Sequence, residues 1–544
     1  DLDRDGDLEI VTAHGGGYVN VHTAAGALVW SRQPAPNELR GLSVYDLDGD
    51  GTLEIIGTGA VYGKANTWVL EHDGAIRPGW PQLDNNTGYA YGVFNANAAI
   101  GNLDADGEAE IVVPSDVHYI CAYQPDGVQL PAHAMYGSKA WGAVGVWESL
   151  AIELRGWGQC SGPRAERNRT NFAHGPAVIA DVNGDAIQEV IVTGNVYDCA
   201  TANYRSQYTG VYVFNRDRSR FNQDGFDWRT PPTDTGAPLS EDWNVIENAQ
   251  PNPAVADLDG DGRAEILFAA SDGRVHAFSL DRIEHGNWPY RVHNPAEGFL
   301  RFASEPAVAD LDNDGRAEVI FASWTEKGSH RTGRLHIVDG FGNSLHEIDL
   351  PVGHGYDEWN GALAAPTLAN IDADADLEVV LNTAHSGLVA YALPGTANPR
   401  ILWGTGRGNF WRTGSWLGPV FNKQVDRATA RQGDTLHYVI TLMGAGRPIV
   451  MTDTIPSGVS YVPNSVHVAP AVGSLSADAA AVRWSGVAAA GAQVRVTFAV
   501  TVTTAAALAI VNRAVADDGQ QVAAQSVTTV ANGRRLHLPV VQRR

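Results

Sequence analysis

The sequence predicts an all-β protein, with a seven-bladed β-propeller over residues 1–416 and an immunoglobulin-like β-sandwich over residues 425–532. Three observations lead to this prediction. A loop of regularly spaced carboxylates recurs seven times, each recurrence is followed by two short strands and a turn, and the C-terminal part lacks the loop but alternates apolar and polar residues. Repeats that each hold about four strands are typical of propeller blades.

The clearest copy of the loop reads DLDGDGRAE and begins at Asp257. Acidic residues stand at loop positions 1, 3, 5 and 9, and Gly262 stands at position 6, where it permits a sharp turn. Alternate carboxylates on a tight loop converge on one point, and such oxygen ligands suit calcium. A strand follows position 9, so the loop differs from the helix-flanked EF-hand, whose last ligand comes at position 12.

Seven copies of the loop predict up to seven calcium ions. Asparagine replaces aspartate at position 1 of two copies and at position 3 of one. Alanine replaces glycine at position 6 in Ala186 and Ala375, and we expect those two sites to be the weakest because their turns are strained. Loop by loop, the predicted ligands are Asp1, Asp3, Asp5 and Glu9; Asp46, Asp48, Asp50 and Glu54; Asn102, Asp104, Asp106 and Glu110; Asp181, Asn183, Asp185 and Glu189; Asp257, Asp259, Asp261 and Glu265; Asp310, Asp312, Asp314 and Glu318; Asn370, Asp372, Asp374 and Glu378.

The sequence on either side of each loop predicts that the loop lies between the first and second strands of a blade. After Asp257 the chain reads EILFAAS, DG, RVHAFSL, which is a hairpin pattern, and PAVA precedes the loop as a short inner strand. Inserts near 127–175 and 215–250 interrupt the repeats. A linker over 417–424 and a tail over 533–544 flank the sandwich. The chain opens inside a loop, so we expect a fragment or processed product. Propellers usually close by pairing strands from the two termini, but here we expect the N-terminal strand to have been removed with upstream sequence, which leaves a first blade of three strands with an exposed edge.

Composition and charge exclude several classes of partner. The formal net charge of −24 argues against nucleic acid and anionic membranes as partners. No apolar run reaches the roughly 20 residues that a membrane span needs. The three cysteines show no zinc-binding spacing. Cys160 and Cys199 lie in irregular segments around the fourth loop, and spacing leaves open both a disulfide and three buried free thiols.

The repeated loops and the PAVADLDGDG text resemble the FG-GAP and VCBS repeat family, which includes the integrin α-subunit propeller. The resemblance implies that side chains at positions 1, 3, 5 and 9, with the main chain at position 7, bind calcium on one face of a seven-bladed propeller. Residues 423–512 resemble a bacterial surface-protein repeat, the domain of unknown function eleven, through Gly433-Asp434, Tyr438, TDTIPSGVSYV, Trp484 and Asn512. Both resemblances imply export to the cell surface or outside the cell.

Function is expected on the face opposite the acidic loops, among segments that the repeat does not specify. The sequence has no nucleophile elbow, metalloprotease helix or phosphate loop. Trp243 and Trp359 are candidates for stacking on sugars or peptides, although packing under a loop is the favoured role. The cluster HGYDEWN, beginning at His354, brings His, Asp and Glu together and is the candidate acid–base group.

Three hypotheses follow for the function of the chain. The leading one is a monomeric, secreted or cell-surface, non-catalytic module that binds an extracellular protein or glycan, with calcium stabilising the blades. The competing enzyme hypothesis is a polysaccharide lyase built on a propeller with similar loops. The third is a purely structural module of a larger surface protein.

Overall fold

The chain is built almost entirely of β-strands, which confirms the all-β prediction. Contacts divide it into two compact units, Asp1–Gly418 and Pro419–Arg544. None of the helices described is both long and apolar enough to cross a membrane. The computed structural model describes residues 2–3, 7–48, 50, 52–59, 65–83, 97–103, 108–115, 117–173, 175–183, 185, 187–202, 204–233, 235–246, 252–312, 314–354, 358–372, 376–396, 399–416, 421–427, 429–443, 448–488, 493–517 and 522–533.

The first unit is a series of small, mostly antiparallel sheets that follow one another along the chain. Short turns join consecutive strands, so neighbours in sequence are usually neighbours in a sheet. In order, the strands are β1 (Glu9–Ala13), β2 (Val19–Thr23) and β3 (Leu28–Arg32); β4 (Leu39–Tyr45), β5 (Glu54–Gly59), β6 (Ala65–Leu70) and β7 (Gln82–Leu83); β8 (Ala99–Gly101), β9 (Glu110–Pro114) and β10 (Ile120–Tyr123); β11 (Asn168–Asn171), β12 (Ala177–Ala180), β13 (Glu189–Asp198) and β14 (Ser206–Phe214), with a hairpin of β15 (Asn222–Gln223) and β16 (Phe226–Asp227); β17 (Ala254–Ala256), β18 (Glu265–Ala269), β19 (Arg274–Phe278) and β20 (Tyr290–Arg291); β21 (Arg301–Ala303), β22 (Ala307–Asp310), β23 (Glu318–Thr325), β24 (Arg334–Val338) and β25 (Ser344–Asp349); β26 (Thr367–Ala369), β27 (Leu377–Thr383) and β28 (Gly387–Leu393).

Burial explains why these strands read as short apolar runs. Strands β5, β9 and β18 are buried along their whole length, because neighbouring sheets cover both of their faces. Inner strands such as β12 and β22 consist mainly of small and β-branched residues, also fully buried. Burial is lower in β1, β25 and β28, where many side chains are exposed.

A C-terminal segment of the first unit, residues 400–416, lies along the inner strands of several sheets. Its two strands, β29 (Arg400–Trp403) and β30 (Ser415–Trp416), pair with β22 and β12, respectively. The amides of four inner or adjacent residues donate to its carbonyl oxygens: Val44 to Trp411 at 2.9 Å, Ile100 to Thr413 at 2.9 Å, Ile179 to Gly414 at 3.0 Å and Leu368 to Gly404 at 2.8 Å. The described residues of this segment therefore join inner strands from several repeats.

The insert near 127–175 is held to the fourth sheet by a buried ionic cluster. It contains the helices α1 (Leu150–Arg155) and α2 (Arg164–Arg167), together with 3₁₀ turns at Ala134–Tyr136 and Trp141–Ala143; α3 (Trp243–Ile246) and a further turn at Pro295–Glu297 lie later. Glu153 accepts hydrogen bonds from Arg218 at 3.1 Å and Arg220 at 2.7 Å. All three side chains are fully buried, and the hydroxyl of Tyr136 donates to the same carboxylate at 2.9 Å.

The second unit contains two β-sheets around one hydrophobic core. One sheet holds β31 (Phe421–Val425), β33 (Thr435–Met443), β35 (Val459–Tyr461), β36 (His467–Ala469) and β39 (Gln493–Val502). The other holds β32 (Thr429–Ala430), β34 (Pro448–Thr454), β37 (Ser474–Ala477), β38 (Ala481–Val487), β40 (Leu508–Asp517) and β41 (Val522–Ala531). Residues 417–424 were predicted to be a linker, but β31 starts within this range. Its central residue, Lys423, is buried, so this part of the range belongs to the folded unit. Most of the predicted tail lies outside the described residues.

Candidate metal centre

A glutamate at position 9 closes every acidic loop in the same way. One oxygen of its carboxylate accepts a hydrogen bond from the backbone amide at position 2, which fixes the start of the loop against the start of the following strand. The seven pairs, amide first, are Leu2 and Glu9 at 2.7 Å, Leu47 and Glu54 at 2.8 Å, Leu103 and Glu110 at 2.5 Å, Val182 and Glu189 at 3.2 Å, Leu258 and Glu265 at 2.9 Å, Leu311 and Glu318 at 2.8 Å, and Ile371 and Glu378 at 2.9 Å.

The fifth and sixth loops bring their carboxylates together most clearly. In the fifth, oxygens of Asp257, Asp259 and Glu265 lie within 4.8 Å of one another. Asp257 accepts from the amides of Gly260 at 2.7 Å and Gly262 at 3.0 Å, so the loop backbone wraps around this side chain. Gly262 has a φ of +89°, a conformation that L side chains rarely adopt, which accounts for glycine at position 6.

The sixth loop repeats this geometry. Oxygens of Asp310, Asp312 and Glu318 lie within 4.8 Å of one another, and Gly315 at position 6 has a φ of +97°. Asp310 accepts from the amides of Asp314 at 3.0 Å and Gly315 at 3.1 Å. The two loops reach the same arrangement because their sequences, DLDGDGRAE and DLDNDGRAE, share the carboxylates and the glycine at position 6.

In the second loop, an arginine from a later turn joins the carboxylates. Oxygens of Asp46, Asp48 and Asp50 lie within 4.8 Å of one another. Arg77 donates to Asp48 at 2.8 Å, and its guanidinium lies 3.6 Å from the carboxylate of Glu54. The repeat pattern does not predict this guanidinium group. Arg77 lies outside the loop in sequence, and only the fold brings it to the carboxylates.

The fourth loop also recruits a residue that the sequence pattern misses. The side-chain amide of Asn183 donates to Asp185 at 3.1 Å and to Asp224 at 2.7 Å, and Asp224 comes from the turn between β15 and β16. Oε1 of Glu189 is buried and accepts no hydrogen bond from the described residues. A buried carboxylate oxygen of this kind is costly unless a cation or another donor reaches it.

Neighbouring loops touch one another through their backbones. The amide at position 8 of one loop donates to the carbonyl at position 2 of the loop before it: Leu53 to Leu2 at 2.9 Å, Ala109 to Leu47 at 3.0 Å, Ala264 to Val182 at 3.0 Å and Ala317 to Leu258 at 2.9 Å. A side chain at Gly260 would come within 2.5 Å of the carbonyl of Gly315 in the next loop. The loops therefore lie side by side, at the same end of their sheets.

The donor set of the best-described loops fits a hard divalent cation. Several carboxylate oxygens converge, and no thiol or imidazole is among them, which is the ligand chemistry that calcium prefers. Twenty-three of the predicted ligands lie within the described residues, and Asp1, Asp5, Asp104, Asp106 and Asp374 lie outside them. Ala186 and Ala375, the two alanines predicted to strain their turns, also lie outside them.

Burial makes four of the position 9 glutamates poor anions. Desolvation is the main cause in each case: it raises the pKa of Glu54 and of Glu318 to about 7, that of Glu265 to about 8 and that of Glu189 to about 9. The neighbouring aspartates of the loops add to the increase, while the amide at position 2 opposes it.

These raised pKa values predict that calcium stabilises the protein more as the pH rises. In the metal-free protein the pKa of such a carboxyl rises from about 4.5 in the unfolded chain to about 7–9 in the folded one. The free energy of unfolding therefore falls as the pH rises through this range, because ionisation is unfavourable in the folded state. Calcium needs the ionised form, so binding should release protons in this window. We expect the calcium-induced increase in Tm to be larger at pH 8 than at pH 5.5, with proton release measured by calorimetry in two buffers. An increase independent of pH would contradict this assignment.

No contact joins His354 to Glu358 among the described residues of the HGYDEWN cluster, and Asp357 lies outside them. Glu358 pairs with His330, with 2.6 Å between carboxylate and ring nitrogen, and both side chains are exposed. The amide of His354 donates to the carbonyl of His385 at 2.8 Å. Trp359 is buried, and its indole donates to the carbonyl of Thr325 at 3.2 Å, so it packs rather than presents a stacking surface. The side chain of Trp243 lies outside the described residues.

Of the two alternatives that the sequence leaves open for Cys160 and Cys199, the structure has the disulfide. The bond joins the insert to the end of β13, with 5.3 Å between the two Cα atoms. Cys121 is buried as a free thiol. In the same insert, Trp141 and Trp147 are buried, whereas Trp157 is half exposed under the guanidinium of Arg155.

Comparison with known proteins identifies one repeat and several distant structural similarities. Residues 257–321 match the FG-GAP-like repeat model, and no curated protein matches the chain. The chain is similar to the biofilm matrix protein Bap1 of V. cholerae, with 15% identity over 90% of this chain and 68% of that chain, at a TM-score of 0.30. It is also similar to the Dos1 propeller, with 9% identity over 72% and 76% and a TM-score of 0.36. The collagen-binding subdomain ACE19 of an Enterococcus faecalis surface protein shares 12% identity over 21% of this chain and 97% of its own, at a TM-score of 0.17.

The matched repeat begins at Asp257 and includes the ligands of the sixth loop. The fifth and sixth loops, whose carboxylates converge most clearly, thus lie within the stretch that matches the FG-GAP-like repeat model.

Proposed function

We propose that this chain is an exported, calcium-stabilised β-propeller module that binds a protein or glycan outside the cell and is not an enzyme. The observation that carries the calcium assignment is the convergence of carboxylates from positions 1, 3 and 9 in the fifth and sixth loops. Up to seven ions would bind, one in each loop, with the carbonyl at position 7 as a further ligand. Their binding free energy would contribute directly to folding.

The propeller arrangement is supported by two features of the backbone. Successive acidic loops are linked by amide-to-carbonyl hydrogen bonds, as expected if the sheets stand side by side around an axis. The segment 400–416 contacts inner strands from several sheets, as expected if it lies near that axis. The seven blades and the immunoglobulin-like form of the second unit are part of this proposal.

Export is supported by the disulfide between Cys160 and Cys199. Such bonds persist in oxidising compartments outside the cytosol and are rare in reducing ones. Calcium is also far more abundant outside cells, where weak sites suffice, with a Kd on the order of 10⁻⁴–10⁻³ M. The net charge of −24 fits a protein or glycan partner better than nucleic acid. We propose that the module acts as a monomer.

A binding role is supported by a cleft beside the first acidic loop, whose lining combines apolar side chains with Asp3, Asp7 and Glu9. The cleft has a volume of about 460 Å³, and Leu8, Val29, Trp30 and His72 contribute to its lining. Leu8 and Val29 are exposed, and the indole nitrogen of Trp30 donates to the carbonyl of His72 at 3.0 Å, which holds the ring at the cleft. Exposed apolar surface and a fixed aromatic ring are common where proteins contact partners or sugars.

Arrays of glycans and extracellular proteins, probed with the full chain in calcium, test this function. We expect at least one specific ligand, and we expect Val29→Asp to weaken its binding at least tenfold because a further carboxylate would replace exposed apolar surface at the cleft. Val450→Asp is the matched control, since both valines are 54% exposed and Val450 lies in the other unit. If no ligand binds, a purely structural role is favoured.

Catalysis is the competing class of function, and it needs a different assay. Glu358 is the described carboxylate of the HGYDEWN cluster, and acid–base chemistry would use it together with His330, its exposed partner. We expect no unsaturated ends to form when the protein is incubated with acidic polysaccharides. Product that disappears in the variant Glu358→Gln would contradict the non-catalytic proposal and favour a lyase.

A further inference from the structure

The aspartate at position 3 is held in the same way in the second, fifth and sixth acidic loops. Its Oδ1 accepts a hydrogen bond from the backbone amide at position 5: Asp48 from Asp50 at 3.2 Å, Asp259 from Asp261 at 3.1 Å and Asp312 from Asp314 at 3.1 Å. Because the loop backbone engages one oxygen of each carboxylate, the other oxygen, Oδ2, is left for a cation or for a further donor.

The three loops differ in what reaches this second oxygen. In the fifth and sixth loops, Oδ2 of Asp259 and of Asp312 accepts no hydrogen bond from the described residues. In the second loop, Nη2 of Arg77 donates to Oδ2 of Asp48 at 2.8 Å. A guanidinium group therefore engages, in the second loop, the carboxylate oxygen that the described residues of the other two loops leave open.

The same guanidinium faces the position 9 glutamate of the second loop. Oε2 of Glu54 accepts from the amide of Leu47, whereas its Oε1 is buried and accepts no hydrogen bond from the described residues. Nη1 of Arg77 lies 3.6 Å from this Oε1. In the fifth loop, the equivalent oxygen of Glu265 accepts from the neutral hydroxyl of Ser279 at 3.0 Å. Arg77 thus brings a positive charge to two of the predicted ligands of the second loop.

Arg77 stands at a turn position that neighbouring sheets fill with apolar residues. The amide at this position donates to a carbonyl of the preceding strand in three consecutive sheets: Arg77 to Val69 at 2.9 Å, Leu130 to Ala122 at 2.9 Å and Phe221 to Val213 at 3.0 Å. Leu130 and Phe221 are buried, and the side chain of Arg77 is only 13% exposed. The shared backbone geometry therefore directs this side chain inward, and in the second sheet the side chain carries a charge.

A guanidinium in this place and a calcium ion compete for the same carboxylates. Calcium lies about 2.3–2.6 Å from its oxygen ligands, so an ion on Oδ2 of Asp48 would lie within roughly 5 Å of the donating nitrogen of Arg77. Arginine keeps its charge throughout the range of pH in which proteins are folded. Like charges this close repel each other, and water screens them little where the side chains are mostly buried.

We propose that Arg77 is an internal competitor of calcium at the second loop, so that this loop fills at a higher calcium concentration than the fifth and sixth loops. The inference rests on the proposed binding of calcium to the acidic loops and adds an order of filling to it. Without calcium, the guanidinium supplies positive charge to the carboxylates of the second loop. When an ion enters, Arg77 leaves Asp48 and keeps Glu71, whose carboxylate lies 3.3 Å from Nη1, as its partner.

Calcium titrations of the full chain, with bound ions counted by equilibrium dialysis, test this competition. Arg77→Leu gives the second sheet the residue type that the third sheet has in Leu130. At the calcium concentration that half-fills the wild-type chain, we expect this variant to bind one more ion, because the Kd of the second loop falls at least tenfold. Adding Asp48→Asn to Arg77→Leu should abolish the gain, which assigns it to the second loop.

A matched control separates this effect from a general change in net charge. Arg331→Leu also removes one guanidinium, but from a pair with Glu326 that lies outside the acidic loops. We expect the number of bound ions to be the same in this variant as in the wild type.

Thermal unfolding gives a second readout of the competition. In chelator, Arg77→Leu should have a lower Tm than the wild type, because the carboxylates of the second loop lose their internal counter-charge. Saturating calcium should reduce this difference, since an ion then takes the place of the guanidinium. A merely structural role for Arg77 would instead lower the Tm equally with and without calcium, and that result would overturn the proposal.

The order of filling can also be measured without changing Arg77, in case Arg77→Leu fails to fold. At half-filling, Asp48→Asn should remove fewer bound ions than Asp259→Asn. Equal losses, or an unchanged ion count in folded Arg77→Leu, would overturn the competition and leave the calcium proposal in place. A folded wild-type chain that binds no calcium would overturn both.

Discussion

Removing divalent cations should lower the Tm of the first unit by on the order of 10 °C. Extracellular calcium sites have a Kd of about 10⁻⁴–10⁻³ M, so about 10 mM calcium is ten to a hundred times Kd. Each filled site then adds about 1.4–2.7 kcal/mol to the free energy of unfolding. The three loops with converging carboxylates together would add about 4–8 kcal/mol. Thermal unfolding with chelator, and again after adding calcium, measures the effect.

A double variant shows whether the effect comes from the acidic loops. Asp259→Asn with Glu265→Gln removes two charges from one converging cluster and should reduce the calcium-induced increase in Tm. Asp349→Asn is the matched control, because Asp349 is exposed on β25, outside the acidic loops. A Tm that does not respond to chelator would contradict the calcium proposal. An equal response in the double variant would place the ion elsewhere.

Neutralising Glu153 should destabilise the protein by about 3–5 kcal/mol, because two fully buried guanidinium groups would lose their counter-charge. Glu153→Gln keeps the size of the side chain and removes only its charge. Arg218 and Arg220 would remain among aromatic rings, which cannot replace a carboxylate. Urea unfolding followed by tryptophan fluorescence should report the loss, since Trp141 and Trp147 are buried in the same insert.

Two comparisons separate this effect from a general loss of surface charge. Glu347→Gln breaks an exposed pair with Arg334 and should change the free energy of unfolding by less than about 1 kcal/mol. Replacing all three buried groups with apolar residues of similar volume should restore part of the stability lost in Glu153→Gln. A loss below about 1 kcal/mol in Glu153→Gln would show that the cluster is solvated or rearranges easily.

The acidic loops could be predicted from the sequence because their determinants are local. A glycine at position 6, such as Gly262 or Gly315, needs only its own backbone conformation to close the turn. The position 9 glutamate reaches an amide seven residues away, within the same loop. The contribution of Arg77 to the second loop and of Asp224 to the fourth could not be predicted, because each comes from a distant turn with no fixed spacing.

The candidate acid–base cluster shows the opposite case, in which its described residues find their partners outside the sequence motif. His354 and Glu358 are neighbours along the chain, yet Glu358 pairs with His330, and Trp359 turns inward to Thr325. Side chains on an irregular loop point in several directions, so spacing alone says little about their contacts. The carboxylates of the acidic loops can be placed from sequence because the tight turn gives them the same geometry in each copy.

Local patterns in the sequence were enough to establish the all-β class and the positions of the acidic loops. Strand alternation, turn residues and carboxylate spacing act over fewer than about ten residues, and the backbone converts them directly into structure. The side-chain groupings of the interior depend instead on sheet pairing. Glu153 meets Arg218 and Arg220 only after the insert folds onto the fourth sheet, and Lys423 meets Asp453 only after two sheets enclose a core. Contacts between residues far apart in the chain produce no repeating pattern in the sequence. They could be identified only from the folded structure.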